Sequence, residues 1–455
     1  MESNPTKGAR WKPAWDYLRI RKWRSYAGNA WNWNSTNWNN NNKTNTFYGV
    51  AVCELREMQD ERLITIEELY EAYFDCRKNK RKSWNALAFE LDYETNLRTL
   101  LDEINDGTYT IGRSLAFVVT RPKLREVFAA DFRDRIVHHL VIRKIEPLME
   151  SVFIEDSYNC RKGKGTLHGV KCLAVKMRKI TDGYTRDAYV AKFDCAGFFM
   201  SIHKTTLCSM VTAFLEENYR APDKEIIIRL ARQIILHNPQ DNCHKRSSER
   251  LWDALPKNKS LFTVGKDYGL PIGNLSSQIF ANFYLLSFDR MMSGRFMGMY
   301  GRYVDDFYVL AHDKKIILEA IPDMKVALSK LHVTLHPDKF YIQHCSKGVS
   351  FTGGVVKPGR KYVGNRTVYN FRECIRRANR ANDKEGRAGR FSMQLNSYLG
   401  FCAHYASYGK RIEILKTIDR SWRRYFYISG PAKKVLLRKR YDKTIRKDTG
   451  LCSCA

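Results

Sequence analysis

Apolar residues recur at helical spacing along most of the chain, and short runs of β-branched and aromatic residues interrupt this pattern. The helical pattern begins near Ile64, where Thr65 and Glu68 have the spacing of a capping box. The same period predicts helices over residues 84–104, 136–149 and 273–290, two helices within 204–236, and an all-helical segment after about residue 370. Asn105-Asp106-Gly107 predicts the end of the second helix.

Strands are predicted where apolar β-formers cluster, at residues 115–119, 127–130, 188–194, 301–304 and 307–310. The last two runs flank Asp305-Asp306 and predict a tight hairpin with both acids at its tip. Residues 238–259 are polar and predict a loop or an insertion. The chain therefore combines helices with short strands, and its 455 residues are enough for two or three domains with their own cores.

The acidic pair requires an explanation, because adjacent carboxylates repel each other and resist burial. An acidic turn on the surface is the commonest one. The strand over 188–194, about 110 residues upstream, also ends in an acid, Asp194. An acid at a strand end and two at a hairpin tip suit two Mg²⁺ ions, which bind few carboxylates and stabilise the attacking and leaving oxygens of a phosphoryl transfer.

At these residues the chain resembles the reverse transcriptases. Tyr303-Val304-Asp305-Asp306 is similar to their palm hairpin motif, and Phe193-Asp194 is similar to the motif of the first palm acid. Five further stretches are similar to motifs of the family, at residues 123–139, 157–166, 270–278, 336–339 and 351–354. All seven motifs occur along the chain in the order of the family. The resemblance covers about residues 61–365.

The resemblance implies an α/β (α+β) right-hand polymerase fold, in which an antiparallel palm sheet is backed by helices. It implies fingers at 61–190 with part of 225–262, a palm with the catalytic site at 191–365, a helical thumb at 366–430 and a basic tail at 431–455. Residues 1–60 form an extension rich in Trp and Asn that is expected to be loop or disordered. Three hypotheses for it are translated template-repeat sequence, an arm that stacks on RNA, and a tail without a role.

The resemblance also implies roles for individual residues. Asp194 and Asp305 are the expected ligands of two Mg²⁺ ions, for which Mn²⁺ can substitute. Asp306 completes the acidic cluster and is expected either to touch a metal or to order its partner acid. Cys195 is expected to contribute only its backbone carbonyl to the metal site. Lys339 is the candidate acid that protonates the leaving pyrophosphate.

A second set of residues is expected to bind the incoming nucleotide: Lys123, Arg125, Phe199, Ile272, Gly273 and Gln278. The guanidinium fork of Arg125 suits a triphosphate better than a point charge does, and Lys123 assists it. Phe199 is expected to exclude a 2′-hydroxyl, and its alternative is a core aromatic beside Phe198. Gln278 is expected to support the pocket from the palm helix.

Two departures from most bacterial members of the family indicate a subfamily. Most carry Gln-Gly and Ser-Pro in the nucleotide-side motif, whereas this chain has Ile272-Gly273 and Ser277-Gln278. Both departures are typical of diversity-generating retroelements, whose enzymes make error-prone cDNA with mutations opposite template adenines. The alternatives are a defence-associated enzyme, a group II intron or retron-type enzyme, and a catalytically silent RNA-binding scaffold.

Ile272 is the candidate source of these errors. A branched apolar side chain replaces a polar one, so fewer hydrogen bonds discriminate a correct base pair from an incorrect one. The alternative is that Ile272 is an ordinary packing residue in an Ile-Gly turn.

Charge is the part of the composition that says most about the binding partners. The formal net charge is +30, with 78 Lys and Arg against 48 Asp and Glu, and 25 Tyr, 23 Phe and 9 Trp are interleaved with them. Such a chain is suited to bind a polyanion with unpaired bases. The alternative is a basic surface that has no binding role. The expected partners are template RNA, the RNA/cDNA duplex and dNTPs, and the resemblance adds a small basic accessory protein.

The remaining composition argues against a membrane protein and against a zinc-binding protein. No apolar run approaches the ~20 residues of a spanning helix and the start lacks an apolar signal core, so we expect no membrane partner and a cytoplasmic, bacterial or phage-encoded protein. The 12 Cys are scattered without zinc-ligand spacing, which predicts reduced thiols. The basic helices after about residue 370 are predicted to grip the template-primer duplex.

Overall fold

The computed structural model of this chain describes residues 63–78, 83–121 and 123–438. The Trp/Asn-rich segment within 1–60 and residues 439–455 of the predicted basic tail lie outside the described residues. Within the described part, no helix is long and apolar enough to cross a membrane.

Helices make up most of the described chain. In order they are α1 Ile66–Arg77, α2 Trp84–Glu90, α3 Tyr93–Asp106, α4 Phe132–Val152, α5 Thr166–Ile180, α6 Phe198–Ser201, α7 Lys204–Asn218, α8 Lys224–Leu236, α9 Glu249–Asp253, α10 Leu275–Tyr284, α11 Leu286–Arg295, α12 Lys314–Ser329, α13 Asn365–Asn379, α14 Ala388–Ala403 and α15 Tyr408–Lys416. Short 3₁₀ turns cover Lys257–Lys259, Cys345–Lys347 and Arg420–Arg424.

The strands are short. They are β1 Ser114–Val119, β2 Arg125–Ala129, β3 Tyr189–Asp194, β4 Cys243–Lys245, β5 Tyr300–Tyr303, β6 Asp306–Ala311, β7 Tyr341–His344, β8 Val349–Phe351, β9 Gly354–Lys357, β10 Arg360–Val363, β11 Phe426–Ser429 and β12 Lys434–Leu437. They form sheets of order β2-β1-β4, β5-β6-β3-β7, β10-β9-β8 and β11-β12. Apart from the parallel pair β1–β4, all pairings are antiparallel, which confirms the predicted α/β (α+β) class.

Side chains alternate between the two faces of the four-stranded sheet, and each face is covered by an apolar cluster. Phe193 of β3 and Phe307 of β6 face the large apolar core, which is completed by α4, α7, α8, α10, α11 and α12. Val190 and Tyr308 face the opposite way, into a second cluster built by α5, β8 and β9. Packing on both faces fixes the register of the strands, since a slip by one residue would exchange the two faces.

Two predicted helices are each split into two, and the single-helix predictions are wrong at those points. The helix over 84–104 breaks between α2 and α3, where Asp92 has a φ of −139° and a ψ of 58° and Leu91 is exposed. The helix over 273–290 breaks at Leu285, whose ψ of 8° ends α10 before α11 begins. The capping box is confirmed, since Thr65 accepts from the amide of Glu68 and the Glu68 carboxylate accepts from Thr65.

The region after residue 365 has its own apolar cluster around the buried Trp422. The helical prediction holds for α13, α14 and α15 but is wrong for residues 426–437, which form the β11–β12 hairpin. Asn396 of α14 explains the difference, because its amide accepts from the backbone N–H of Val435 at 2.7 Å and donates to its carbonyl at 2.8 Å. The predicted loop over 238–259 likewise contains strand β4, which pairs with β1.

Candidate active site

Strand register brings the three predicted acids together at one end of the four-stranded sheet. Asp194 at the end of β3 is directly opposite Asp306 at the start of β6. Tyr303 of β5 is also opposite Asp306, so Val304 and Asp305 form the two-residue turn of the predicted hairpin, and the hairpin is confirmed. The backbone N–H of Cys195 donates to the carbonyl of Asp305 at 3.1 Å and ties the turn to the end of β3.

The turn is strained, and a buried arginine holds it. Val304 has a φ of 60°, which a β-branched residue rarely adopts. Arg302 donates to the Val304 carbonyl at 2.8 Å and pairs with Asp289 of α11 at 2.6 Å, with both charged side chains 1% exposed. Burial opposes the charge on Arg302, but the ion pair outweighs it and raises the pKa of Arg302. The Asp289 carboxylate also accepts from the hydroxyl of Tyr300 at 2.6 Å.

Close packing beneath the turn requires a glycine in β5. A Cβ at Gly301 would lie 2.5 Å from the hydroxyl of Tyr308 and 2.6 Å from that of Tyr158. These two hydroxyls are themselves 2.8 Å apart. The strand that leads into the acidic turn therefore runs directly over a buried pair of tyrosines, and only glycine allows this approach.

Each of two acids is paired with a lysine. The ammonium of Lys339 donates to Asp194 at 2.6 Å, and that of Lys192 donates to Asp306 at 3.0 Å. Backbone bonds place Lys339, since His336 donates to the Asp194 carbonyl at 2.7 Å and anchors the segment that leads to Lys339. The sequence interpretation named Lys339 but missed Lys192, which shares a face of β3 with Asp194 because the two are two residues apart.

The acids hold more negative charge than the two lysines balance. Burial first, and the charge of Asp194 second, raise the pKa of Asp305. Burial raises the pKa of Asp306 to about 6 although Lys192 opposes the shift. Carboxylates whose pKa values are raised in this way are stabilised by a cation.

The donor set fits a divalent cation held by few protein ligands. In the described part of the chain, no three His, Cys, Asp or Glu side chains converge as a group that could hold a metal. Two carboxylates with a backbone carbonyl, completed by phosphates and water, are the coordination that Mg²⁺ usually takes. Burial raises the pKa of the Cys195 thiol and favours its protonated form.

The predicted triphosphate residues lie at the start of β2 and just before it. Arg125 opens β2 and is exposed, and its charge, with that of Lys339, partly opposes the rise in the pKa of Asp305 caused by burial. Arg125 is thus within electrostatic reach of the acids. Lys123 is exposed in the segment just before β2, and no interaction of its side chain with the acids is observed among the described residues.

The segment that precedes α10 is fastened to β2 by its backbone. The amide of Phe128 donates to the Ile272 carbonyl at 2.9 Å, and that of Ala130 donates to the Asn274 side chain at 3.2 Å. Gly273 has a φ of 136°, and a Cβ there would lie 2.4 Å from the Phe128 carbonyl oxygen. Gly273 is therefore required by the backbone contact itself.

Ile272, Phe199 and Gln278 are all half-buried. Ile272 packs against a small cluster of Ala116, Phe128, Met200 and Leu261, so part of its side chain has a packing role. Phe199 lies edge-on to Phe198, with ring centroids 5.7 Å apart, and its carbonyl accepts from Leu270 at 2.8 Å. The amide oxygen of Gln278 accepts from the thiol of Cys160, a contact that the sequence did not predict.

Comparison with known proteins agrees with this geometry. Residues 121–356 match the family model described as reverse transcriptase (RNA-dependent DNA polymerase). The chain belongs to the reverse transcriptase family. The predicted family is confirmed, and so is the predicted enzyme class, since these polymerases are nucleotidyltransferases.

Individual relatives are distant. Protein YkfC of Escherichia coli (strain K12) is 24% identical over 293 residues, which cover 56% of this chain and 70% of YkfC. Apo telomerase from Candida tropicalis aligns with a TM-score of 0.43 at 12% identity over 68% of this chain. Telomerase from Candida albicans, bound to a fragment of telomeric RNA, aligns with a TM-score of 0.39 at 11% identity over 67% of this chain. In each case the match covers 55% of the telomerase.

Proposed function

We propose that this reverse transcriptase makes error-prone cDNA from a template RNA, with mutations opposite adenines, as in a diversity-generating retroelement. The observation that carries the polymerase part is the strand register, which brings Asp194, Asp305 and Asp306 to one end of the sheet, with Lys339 bonded to the first of them. The mutagenic part is supported by Ile272-Gly273 and Ser277-Gln278 in the segment docked on β2.

In this proposal Asp194 and Asp305 hold two Mg²⁺ ions, with Mn²⁺ as a substitute, and the carbonyl of Cys195 is a further ligand. When bound, the ions stabilise the attacking and leaving oxygens of the phosphoryl transfer. The protein contributes position: Arg302 and Asp289 fix the turn that carries Asp305, and Lys192 neutralises Asp306 so that fewer like charges face each other.

Arg125, assisted by Lys123, orients the triphosphate with its guanidinium fork. Phe199 restricts the space beside the sugar, and Gly273 allows the nucleotide-side segment to lie against β2. The primer 3′-hydroxyl then attacks the α-phosphate, and pyrophosphate leaves on the side of Lys339. The expected partners are the template RNA, the RNA/cDNA duplex, dNTPs and a small basic accessory protein.

Lys339 is proposed to protonate the leaving pyrophosphate. Its ammonium is half-exposed and bonded to Asp194, so it can exchange one anion for another as phosphate arrives. Lys339→Ala should slow the single-turnover chemical step by about 10²-fold or more. A mutant whose chemical step keeps the wild-type rate would remove Lys339 from this role.

Sequencing of cDNA tests the proposed function. The purified protein is given its own element RNA and dNTPs with Mg²⁺, and the products are sequenced with and without added accessory protein. Errors concentrated opposite template adenines are expected. Faithful cDNA, or product made without template, would instead favour a conventional or a defence-associated enzyme, which share the same palm chemistry.

A further inference from the structure

Gln278 lies on α10, and its side chain has a partner in a segment far away in the chain. The thiol of Cys160 donates to the Gln278 carboxamide oxygen, and the side-chain oxygen of Asn159, 3.6 Å from the same sulfur, is its second acceptor. Gln278 lies in the first turns of α10, and Cys160 lies in the segment between α4 and α5, 118 residues away in the chain. Both side chains are half-buried. The contact thus joins two separate segments at the predicted nucleotide pocket.

The backbone holds Cys160 in an unusual conformation. Its φ is 49°, in the left-handed region that non-glycine residues seldom occupy. Such strain persists only where the surroundings impose it, and it is concentrated at functional sites. Here the neighbouring residue is fixed, because Asn159 is buried and its carbonyl accepts from the side chain of Asn282 at 2.7 Å.

The same chain of contacts reaches the acidic turn. Arg302, which holds Val304, also donates to the carbonyl of Asn282 at 3.4 Å and to its side-chain oxygen at 3.5 Å. A continuous polar path therefore runs from the turn through Asn282 and Asn159 to Cys160 and Gln278. Every member of this path is buried or half-buried.

The chemistry of the contact defines its direction. Burial, and secondarily the charge of Glu146, raise the pKa of Cys160, so the sulfur carries its proton at neutral pH. A protonated thiol is a donor, and the matching end of a glutamine amide is its oxygen. The NH₂ end of Gln278 is then the end left to donate.

We propose that Cys160 is a positioning residue of the nucleotide pocket, whose thiol holds the Gln278 carboxamide so that its NH₂ group faces the incoming nucleotide or the template base. This inference rests on the proposed polymerase function, in which Gln278 lines that pocket. Cys160 touches no reacting atom and acts only through Gln278. Cys160 therefore affects the binding of the nucleotide and not the phosphoryl transfer itself.

The test is steady-state incorporation of single dNTPs by the full chain on an RNA template with Mg²⁺. Cys160→Ala and Gln278→Met should each raise the dNTP KM by about threefold to tenfold, the loss of one hydrogen bond, with kcat changed by less than about twofold. Cys160→Ser keeps a donor and should recover part of the loss. The double variant should be no worse than Gln278→Met alone, because both changes remove the same contact.

Cys374→Ala is the matched control, because the Cys374 thiol also donates to a glutamine, Gln394, at 3.4 Å but does so in the core of the C-terminal region. It should leave the dNTP KM unchanged. Effects of Cys160→Ala and Gln278→Met that multiply in the double variant would overturn the inference, as would an unchanged KM in Cys160→Ala. A wild-type protein that incorporates no nucleotide would overturn the proposed function, and the positioning role with it.

Discussion

The turn between β5 and β6 and the segment before α10 both carry predicted site residues, but they are held by different forces. The turn is held by a buried ion pair and a hydrogen bond from Arg302 to the strained Val304. The segment before α10 is held by backbone hydrogen bonds to β2 and by the small cluster that includes Ile272. The first arrangement depends on particular side chains, and the second depends on the backbone and one glycine.

This difference bears on which region can change. A buried charge that loses its partner is costly, so the turn tolerates little substitution. A side chain whose backbone is already bonded, and which is only half-buried, can be exchanged with a small loss of packing. From this contrast we expect that substitutions at residue 272 leave the chemistry intact, provided that Gly273 remains.

Replacement of Asp305 should have the largest effect. Asp305→Asn removes a proposed metal ligand and should lower incorporation by about 10³-fold or more. The melting temperature should not fall, because burial and Asp194 already disfavour the charge on Asp305. Asp182→Asn, an exposed acid with a φ of 46°, is the control and should keep full activity. Substantial incorporation by Asp305→Asn would exclude the proposed metal site.

Breaking the buried ion pair should come next. Arg302→Met leaves Asp289 buried without its partner and should lower the free energy of unfolding by about 3–5 kcal/mol in denaturant titration. The control is Arg295→Met, which breaks the exposed pair with Asp323 and should cost less than about 1 kcal/mol. Equal losses in the two variants would show that the turn is not held as described.

A methyl group at residue 273 tests the segment before α10. Gly273→Ala places a Cβ against the Phe128 carbonyl at a φ of 136°, and should lower the free energy of unfolding by about 1–3 kcal/mol and raise the dNTP KM. Gly359→Ala is matched, since Gly359 also has a positive φ, 66°, but no atom of the described residues lies within 4 Å of the point that its Cβ would occupy. A tolerated Gly273→Ala would mean that the segment can leave β2.

The smallest effect on stability is expected at Ile272. Ile272→Gln should cost about 1 kcal/mol of unfolding free energy, because the side chain is only half-buried. Its effect should appear in sequenced cDNA, as a fall of about fivefold in errors opposite adenine, the worth of one regained hydrogen bond. Ile272→Val keeps the apolar surface and should keep the errors. An unchanged error spectrum in Ile272→Gln would leave Ile272 with a packing role alone.

Local patterns were sufficient to predict the acidic turn, the strands around it and the capping box of α1, because each depends on residues close together in the chain. The helix breaks at Asp92 and Leu285 lack the Gly or Pro that marks a break, so periodicity continued through them. The β11–β12 hairpin was missed because its fixing partner, Asn396, lies on a helix nearly 40 residues away.

Arg302 and Cys160, two of the three residues that the sequence missed, were missed for the same reason. Arg302 stood inside a predicted strand, but its partner Asp289 lies on α11 and only the tertiary structure brings them together. Cys160 meets Gln278 across 118 residues, which no local pattern encodes. Lys192 could have been found, because a lysine two residues before a strand-end acid points to the same side.

The lysine bonded to Asp194 has a consequence for the order of events. Under the proposed function, a cation that binds Asp194 competes with the ammonium of Lys339, which donates to the same carboxylate. An arriving triphosphate shifts this competition towards the metal, because its anionic oxygens are an alternative partner for the ammonium of Lys339. In the proposed mechanism the loading of metal and the loading of nucleotide are therefore linked, because Lys339 stays paired with Asp194 until a nucleotide arrives.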